Sequence, residues 1–482
     1  MTASAEFLAQ IETFLGPRGF TKDPDLMDPW LTDWRGRFSG KAAAMISPTS
    51  TPEVSEVVKL CAKHGVAIVP QGGNSGMCGG ATPDESGDAV IISLRRMNSV
   101  RSFDVEARQI VCDAGVVLQT LHETVEAERL RFPLTLGGKG SATIGGLIST
   151  NAGGTQVLRH GVMRDQVLGV EAVLADGSVF DGLTVLKKDN RGFDLKQMLI
   201  GSEGTLGIVT GATLRLLPET GTRTVAWAGV ESIAMARQLL LLFQRRAEQF
   251  LEGFEVIPAH SLAAVLEHVP STRSPLADTH NWNALIELVG SPDQSDILPE
   301  LAQELLTEAI GSGLAQDATV ASNESQAEAF WLLRDEIASA ERAIGPAMQH
   351  DISVPVERMA DFVEYAVPAV RERFPDTTPI AFGHLGDGNV HFHVLAPAGA
   401  TRGEWEDSQG KTISAYVHDL VTQWEGSISA EHGIGQMKRD ELGRLGDPVA
   451  NAMLRGVKQA LDPQGILNPG KLVPLARHGQ AH

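Results

Sequence analysis

Four glycine-rich stretches constrain this 482-residue chain more than any other feature. They are Pro70-Gln-Gly-Gly-Asn-Ser-Gly-Met-Cys-Gly-Gly80, Gly137-Gly-Lys-Gly-Ser-Ala-Thr-Ile-Gly-Gly146 running on to Ser149-Thr-Asn-Ala-Gly-Gly154, Gly201-Ser-Glu-Gly-Thr-Leu-Gly207, and Asn468-Pro-Gly-Lys471. Glycine removes the side chain that would hold backbone N–H groups away from a phosphate, and it permits turns that point those groups inward. One such loop is an ordinary tight turn. Four, with hydroxyl and amide residues between the glycines, point to a bound phosphorylated cofactor. No Gly-Lys-Ser/Thr closes a Walker loop, and no strand–GxGxxG–helix–acid unit is present.

The formal net charge of −20 argues against nucleic acid and anionic lipid as partners. Three cysteines, Cys61, Cys78 and Cys112, make neither a disulfide framework nor a metal cluster. They fit a reducing, cytoplasmic setting, and any membrane association is expected to be peripheral, at the inner membrane. They cannot ligate an iron–sulfur cluster with four thiolates, so any electrons the chain collects must leave through an external acceptor. Residues 1–18 read as a short amphipathic helix without the basic start and apolar core of a signal peptide. No stretch approaches the roughly 20 apolar residues of a membrane span.

Hydrophobic patterning predicts an α+β chain. Short strands are expected near 42–48, 67–70, 89–94, 108–113 and 167–174, with helices at 52–64 and 118–129. After Pro218 the texture changes. Helices near 231–249 and 295–312 alternate with apolar runs at 224–230 and 284–289, and further helices are expected at 356–373, 410–424 and 448–461. The expected division is an N-terminal helical segment (1–37), a cofactor domain (38–218), a substrate or cap domain (219–425) and a C-terminal segment (426–482).

A second constellation carries chemistry. His384-Leu-Gly-Asp-Gly-Asn-Val-His391 sets two imidazoles about a glycine turn, and Glu431-His432 follows forty residues later. From Asn389 to Leu395 the pattern alternates, so His391 and His393 share a strand face, and the turn lets His384 fold back toward His391. Glu431 and His432 are adjacent and point in opposite directions in extended chain. Two imidazoles and a carboxylate suit zinc with an open position, although manganese or iron also fit. A pair of structural histidines in a hairpin is the plainer alternative.

Together these motifs resemble those of the vanillyl-alcohol-oxidase (PCMH-type) flavoproteins. Pro70–Gly80, Gly137–Gly154, Lys188–Lys196 and Gly201–Thr210 resemble the FAD-binding half. His384–His391, Glu431–Gly435 and Asp462–Lys471 resemble the D-2-hydroxyacid dehydrogenase branch, which includes D-lactate, glycolate and D-2-hydroxyglutarate dehydrogenases. The resemblance implies a two-lobed FAD domain, an α/β cap with an antiparallel sheet, and a C-terminal helical segment returning to the flavin. It implies that FAD contacts fall on Pro70, Gly72, Gly73, Asn74, Ser75, Gly76, Gly79 and Gly80, and on Gly137, Gly140, Ser141, Ile144, Gly145, Gly146, Asn151, Gly153 and Gly154. Further contacts are implied at Glu203, Gly204, Gly207, Ile208 and Asn468. Neither Gly72–Gly80 nor Gly137–Gly154 contains a histidine, so the FAD is expected to be non-covalent.

The same resemblance implies His384, His391 and Glu431 as metal ligands, and His432 as the residue that takes the substrate hydroxyl proton. Arg334 is implied to pair with the substrate carboxylate. Asp387 is expected to support the turn or to back a metal ligand. The match departs where the branch reads substrate size. Ala338 stands where a hydroxyl residue is usual in 2-hydroxyglutarate enzymes, Gln349 where a lysine is usual, and His393 where an asparagine is usual. A distal carboxylate would lose most of its partners, so the expectation is a D-2-hydroxy monocarboxylate, D-lactate or a larger acid. D-2-Hydroxyglutarate oxidation, an O₂-using alcohol oxidase and a non-catalytic flavoprotein subunit are the alternatives. The electron acceptor is expected to be an electron-transfer flavoprotein, a quinone or a cytochrome, and a homodimer is possible.

Overall fold

The computed structural model describes residues 3–186 and 188–474. Met1 and Thr2 of the expected N-terminal helix, and residues 475–482 of the expected C-terminal segment, lie outside them. The chain forms two units. The first takes residues up to 154, 161–218 and from Glu431 onward, and the second takes 155–160 and 219–430.

The first unit contains a four-stranded sheet in the order Phe20–Thr21, Ala44–Ile46, Val90–Ser93, Ile68–Gln71, with the last three strands parallel. Parallel neighbours need crossovers, and the helix Thr51–His64 supplies one. It starts where the Ser50 hydroxyl accepts the Glu53 N–H (3.4 Å) and stops at Gly65, whose φ of +64° is left-handed. A second, antiparallel sheet runs in the order Val100–Asp104, Gln109–Asp113, Ile208–Arg215, Val167–Val173, Val179–Gly182. Val54, Val57, Val58, Ile68, Val90, Ile110, Val170 and Leu214 join one core that serves both sheets.

The loops of this unit are tied together by one buried carboxylate. Glu203, at φ +50°, accepts from the N–H groups of Ile434 and Gly435 (2.7 Å each). Asn468 donates its amide to the carbonyls of Glu203 (2.7 Å) and Gly80 (2.9 Å). Three of the glycine stretches thus meet the segment that follows Glu431-His432.

The second unit is built on a seven-stranded antiparallel sheet. In chain order its strands are β1 (Thr224–Val230), β2 (Leu251–Pro258), β3 (Trp282–Leu288), β4 (Asp317–Val320), β5 (Ala347–Ser353), β6 (Thr378–His384) and β7 (Asn389–Leu395). They lie side by side as β4-β1-β3-β2-β6-β7-β5. On one face Val225, Trp227, Leu285, Ile257, Ile380 and Phe382 pack on helices α1 (Ala259–His268), α2 (Glu324–Asp335) and α3 (Ile337–Ile344) through Val265, Phe330, Leu333 and Ile337. Register puts Glu255, His384, His391, His393, Asp351 and Gln349 on that same face. No helix among the described residues is long and apolar enough to cross a membrane.

Glu203→Ala removes a buried acceptor and leaves two buried N–H groups unpaired, at a cost of about 2–4 kcal/mol. Denaturant unfolding of the FAD-loaded protein is expected to show that loss, together with weaker FAD retention.

Candidate functional site

In the first unit the Gly72–Gly80 loop follows directly from the strand that ends at Gln71. The backbone N–H groups of Gly72, Gly73, Asn74, Ser75, Gly76 and Met77 make no hydrogen bond to protein acceptors among the described residues. These six residues are half-buried or exposed, so the run of donors is open to water or to an acceptor-rich ligand, and its glycines let such a ligand approach the backbone. The second glycine stretch backs onto this loop. A Cβ at Gly73 would sit 1.8 Å from the Ser141 carbonyl, and one at Gly72 2.1 Å from the Thr143 hydroxyl. That hydroxyl is buried without a hydrogen-bond partner, at the start of the short helix Ile144–Thr150. A Cβ at Gly76, Gly137 or Gly140 would meet no protein atom within 4 Å. These residues fit a phosphorylated cofactor such as FAD.

Other expected contact residues have structural work in the same unit. Asn151 closes that helix at φ +48°, and its side-chain oxygen accepts from the Arg164 N–H (3.0 Å). Pro70 lies in the strand that leads into the first loop, and Ile208 opens the strand after Gly207. The Glu203 carboxylate turns toward the Glu431–Gly435 segment. Burial raises its pKa against the pull of the Ile434 and Gly435 N–H groups, Lys438 and Lys471. Burial likewise pushes the Lys471 ammonium down to about 8. A Cβ at Gly153 would come within 2.8 Å of Glu431 Oε1, so this glycine makes room for the carboxylate. The Cys78 thiol donates to the Gly433 carbonyl (3.2 Å).

In the second unit β6 and β7 form a hairpin whose turn is 385–388. The Asp387 carboxylate accepts the Asn389 N–H (3.0 Å), the turn-supporting role expected of it. Gly388 sits at φ +84°, with the Val354 carbonyl 2.2 Å from where a Cβ would stand. The hairpin brings the rings of His384 and His391 to a centroid distance of 5.5 Å. Phe382 lies against both His391 (5.1 Å) and His393 (5.0 Å).

Arg334, on α2, completes this group. Its Nη2 donates to His384 Nε2 (3.0 Å) and His391 Nε2 (3.2 Å), and its Nε donates to Glu255 Oε2 (2.9 Å). Glu255 Oε1 accepts from His384 Nδ1. A guanidinium can only donate, so both Nε2 atoms present lone pairs and both imidazoles carry hydrogen on Nδ1. Burial, then Arg334, holds the His391 pKa well below the ordinary histidine value, which keeps that lone pair available. Burial alone would raise the Glu255 carboxyl, but Arg334 and His384 outweigh it and hold it well below the usual carboxylate range.

Two imidazole lone pairs aimed at one cationic nitrogen, with a carboxylate behind one ring, form a donor pair suited to a metal ion. No group of three His, Cys, Asp or Glu residues is gathered closely enough to hold a metal among the described residues. The expected third ligand, Glu431, belongs to the first unit with His432. Just before it in the chain, Ala430 donates its N–H to the carbonyl of Asp351 (3.3 Å), the cross-strand partner of His391.

Gln349 and His393 are cross-strand partners on β5 and β7. His393 Nδ1 bonds to Glu341 on α3, a carboxylate with no exposed surface. Glu255 and Glu341 both escaped sequence reasoning. Glu255 left a trace, as a lone charge inside the apolar run Phe254-Glu-Val-Ile257. Glu341 reads as one more acid on an amphipathic helix.

Comparison with known proteins bears on this arrangement. The FAD binding domain family matches residues 42–182, and the C-terminal domain of FAD linked oxidases matches 220–472. Among curated relatives, mitochondrial D-2-hydroxyglutarate dehydrogenase of Arabidopsis thaliana is 36% identical, over 97% of this chain and 81% of its own length. The Bos taurus enzyme of the same name is 38% identical, over 98% and 84%. A putative mitochondrial D-lactate dehydrogenase of Schizosaccharomyces pombe is 33% identical, over 94% and 85%. Among solved structures, p-cresol methylhydroxylase with substrate bound shares the fold at a TM-score of 0.75 and 16% identity, covering 97% of this chain and 96% of that one. Identity above 30% along nearly the whole length, with both domain families matched in order, shows that the chain belongs to the FAD-linked oxidases, in the branch of the D-2-hydroxyacid dehydrogenases.

Proposed function

We propose that this protein oxidises a D-2-hydroxy acid to the 2-oxo acid, with FAD as the immediate electron acceptor and a divalent metal at the histidine pair. The observation that carries the reading is the convergence of His384 Nε2 and His391 Nε2 on Arg334, in a chain whose other unit offers six unpaired backbone donors.

Arg334 serves the substrate carboxylate, for which its planar fork is suited, and Glu255 fixes the orientation of that fork. His384 and His391, with Glu431 as the oxygen ligand, would hold the metal. Zinc is preferred by such a donor set, and when bound it polarises the substrate oxygens and lowers the hydroxyl pKa. His432 takes the hydroxyl proton, since imidazole titrates near working pH. FAD, when bound, supplies a two-electron acceptor at N5 for the hydride from the α carbon. The electrons then pass to an external acceptor such as an electron-transfer flavoprotein, a quinone or a cytochrome. Ala338 and Gln349 supply no charge for a distal carboxylate, which favours a monocarboxylate.

Three outcomes test this. Anaerobic mixing with D-2-hydroxy acids is expected to bleach the flavin spectrum while L-isomers do not, and exhaustive EDTA treatment is expected to abolish the bleaching until zinc is restored. Bleaching by L-isomers alone counts against the reading. His432→Asn is expected to lower kcat by about 10²–10⁴-fold with the bound-FAD spectrum intact. Arg334→Met is expected to raise KM for the hydroxy acid. It is also expected to tighten zinc binding by at least about tenfold, because no guanidinium then competes for the two lone pairs. Competition against a chromogenic chelator reads that affinity without any turnover.

A further inference from the structure

Beside the His384–His391–Arg334 group, the same sheet face carries a second polar set. Glu341 is fully buried on α3, and Oε2 contacts His393 Nδ1 while Oε1 is buried without a partner. The carboxylate therefore serves His393 alone among the described residues. A carboxylate committed to one ring nitrogen fixes the imidazole plane and turns Nε2 away from itself. His393 Nε2 makes no hydrogen bond among the described residues, and neither does the Gln349 amide directly across the strand pair. His391 and His393 ring centroids are 6.4 Å apart, so the pair lies one strand repeat from the metal-binding histidine. That is the reach of a short carbon tail attached to a hydroxy acid held at Arg334.

We propose that Gln349 and His393, the latter oriented by Glu341, form a subsite for the substrate tail and select a D-2-hydroxy monocarboxylate whose tail bears hydroxyl groups. This rests on the function proposed above. A neutral amide, which both donates and accepts, beside a fixed imidazole matches a hydroxyl, which also does both. An alkyl tail leaves both groups unpaired. A carboxylate tail meets no lysine or arginine in this set. Glu341 is a positioning residue, since it acts through His393.

The test is steady-state oxidation by the FAD- and zinc-loaded full chain of D-lactate, D-2-hydroxybutyrate, D-glycerate, D-erythronate and D-2-hydroxyglutarate. The expected wild-type order puts D-erythronate or D-glycerate ahead of D-2-hydroxybutyrate and D-2-hydroxyglutarate in kcat/KM. His393→Leu, Glu341→Ala and Gln349→Leu are each expected to cut the ratio of kcat/KM for D-erythronate over D-2-hydroxybutyrate by about tenfold, mainly through KM. Glu341→Gln keeps an acceptor for Nδ1–H and is expected to restore most of that ratio, which a packing role would not explain. Gln349→Leu lies outside the buried pair, so it reads the subsite even where Glu341→Ala misfolds. Equal losses on every acid, or D-2-hydroxyglutarate as best substrate with an unchanged ratio in the variants, overturns the proposal. A wild-type protein that oxidises none of the five acids overturns the parent reading and this one with it, and is told apart because no variant is needed to see it.

Discussion

The second unit depends on one buried carboxylate. Glu255 lies on β2 among apolar neighbours, where an unpaired charge would be costly. It is tolerated because Arg334 and His384 both bond to it. Each bond also fixes something the site needs. Holding Arg334 by Nε leaves its Nη2 facing the histidines. Holding His384 by Nδ1 forces the lone pair onto Nε2. Truncating either partner would leave charge buried without compensation, the situation that costs several kcal/mol in comparable networks. Tautomer, guanidinium orientation and sheet position are therefore set by a single group that touches no substrate in the proposed mechanism.

Glu203 plays the corresponding part in the first unit. Its carboxylate receives two N–H groups just beyond Glu431-His432, while its own carbonyl is held by Asn468, which also holds Gly80. The loops with unpaired backbone donors and the segment bearing the proposed base thus share one hydrogen-bond hub. A ligand that satisfies those donors stabilises the loop conformation by mass action, and the hub carries the benefit to the segment after His432. Cofactor binding and order in that segment are linked through short-range contacts alone.

Much of this was legible in the sequence, and what was not has a physical reason. The glycine loops were legible because backbone approach demands a residue without Cβ. The apolar runs at 224–230 and 284–289 correspond to β1 and β3 because both faces of those strands are largely buried, and the alternation from Asn389 to Leu395 corresponds to β7, where Val390, Phe392 and Val394 fill one face and the histidines the other. β2, β4, β5 and β6 were missed. β5 reads Ala-Met-Gln-His-Asp-Ile-Ser, and its apolar alternation is erased because polar residues stand on both faces, Gln349 and Asp351 beside the histidines and the buried His350 on the other. Functional residues and strand periodicity compete for the same positions, so local reasoning fails where the chemistry is. The partnerships of Glu255 with Arg334 and of Glu341 with His393 span 79 and 52 residues, and no local pattern encodes them.

The substrate question turns on the same physics of burial. A distal carboxylate brought into a site without a cation keeps its desolvation penalty, which exceeds anything a neutral amide and an imidazole return. A hydroxyl has a far smaller penalty, and two well-placed partners offset it. On the proposed reading, Gln349, where the resemblance leads one to expect a lysine, does more than weaken one interaction: it changes the class of tail for which entry is favourable. The buried Glu341 reinforces the change, since a second carboxylate near His393 would face a like charge rather than a counter-ion. Relatives named for 2-hydroxyglutarate and for lactate match this chain along nearly its whole length. On the proposed reading, the neutral Gln349–His393 pair is what sets this chain's substrate preference apart from a dicarboxylate.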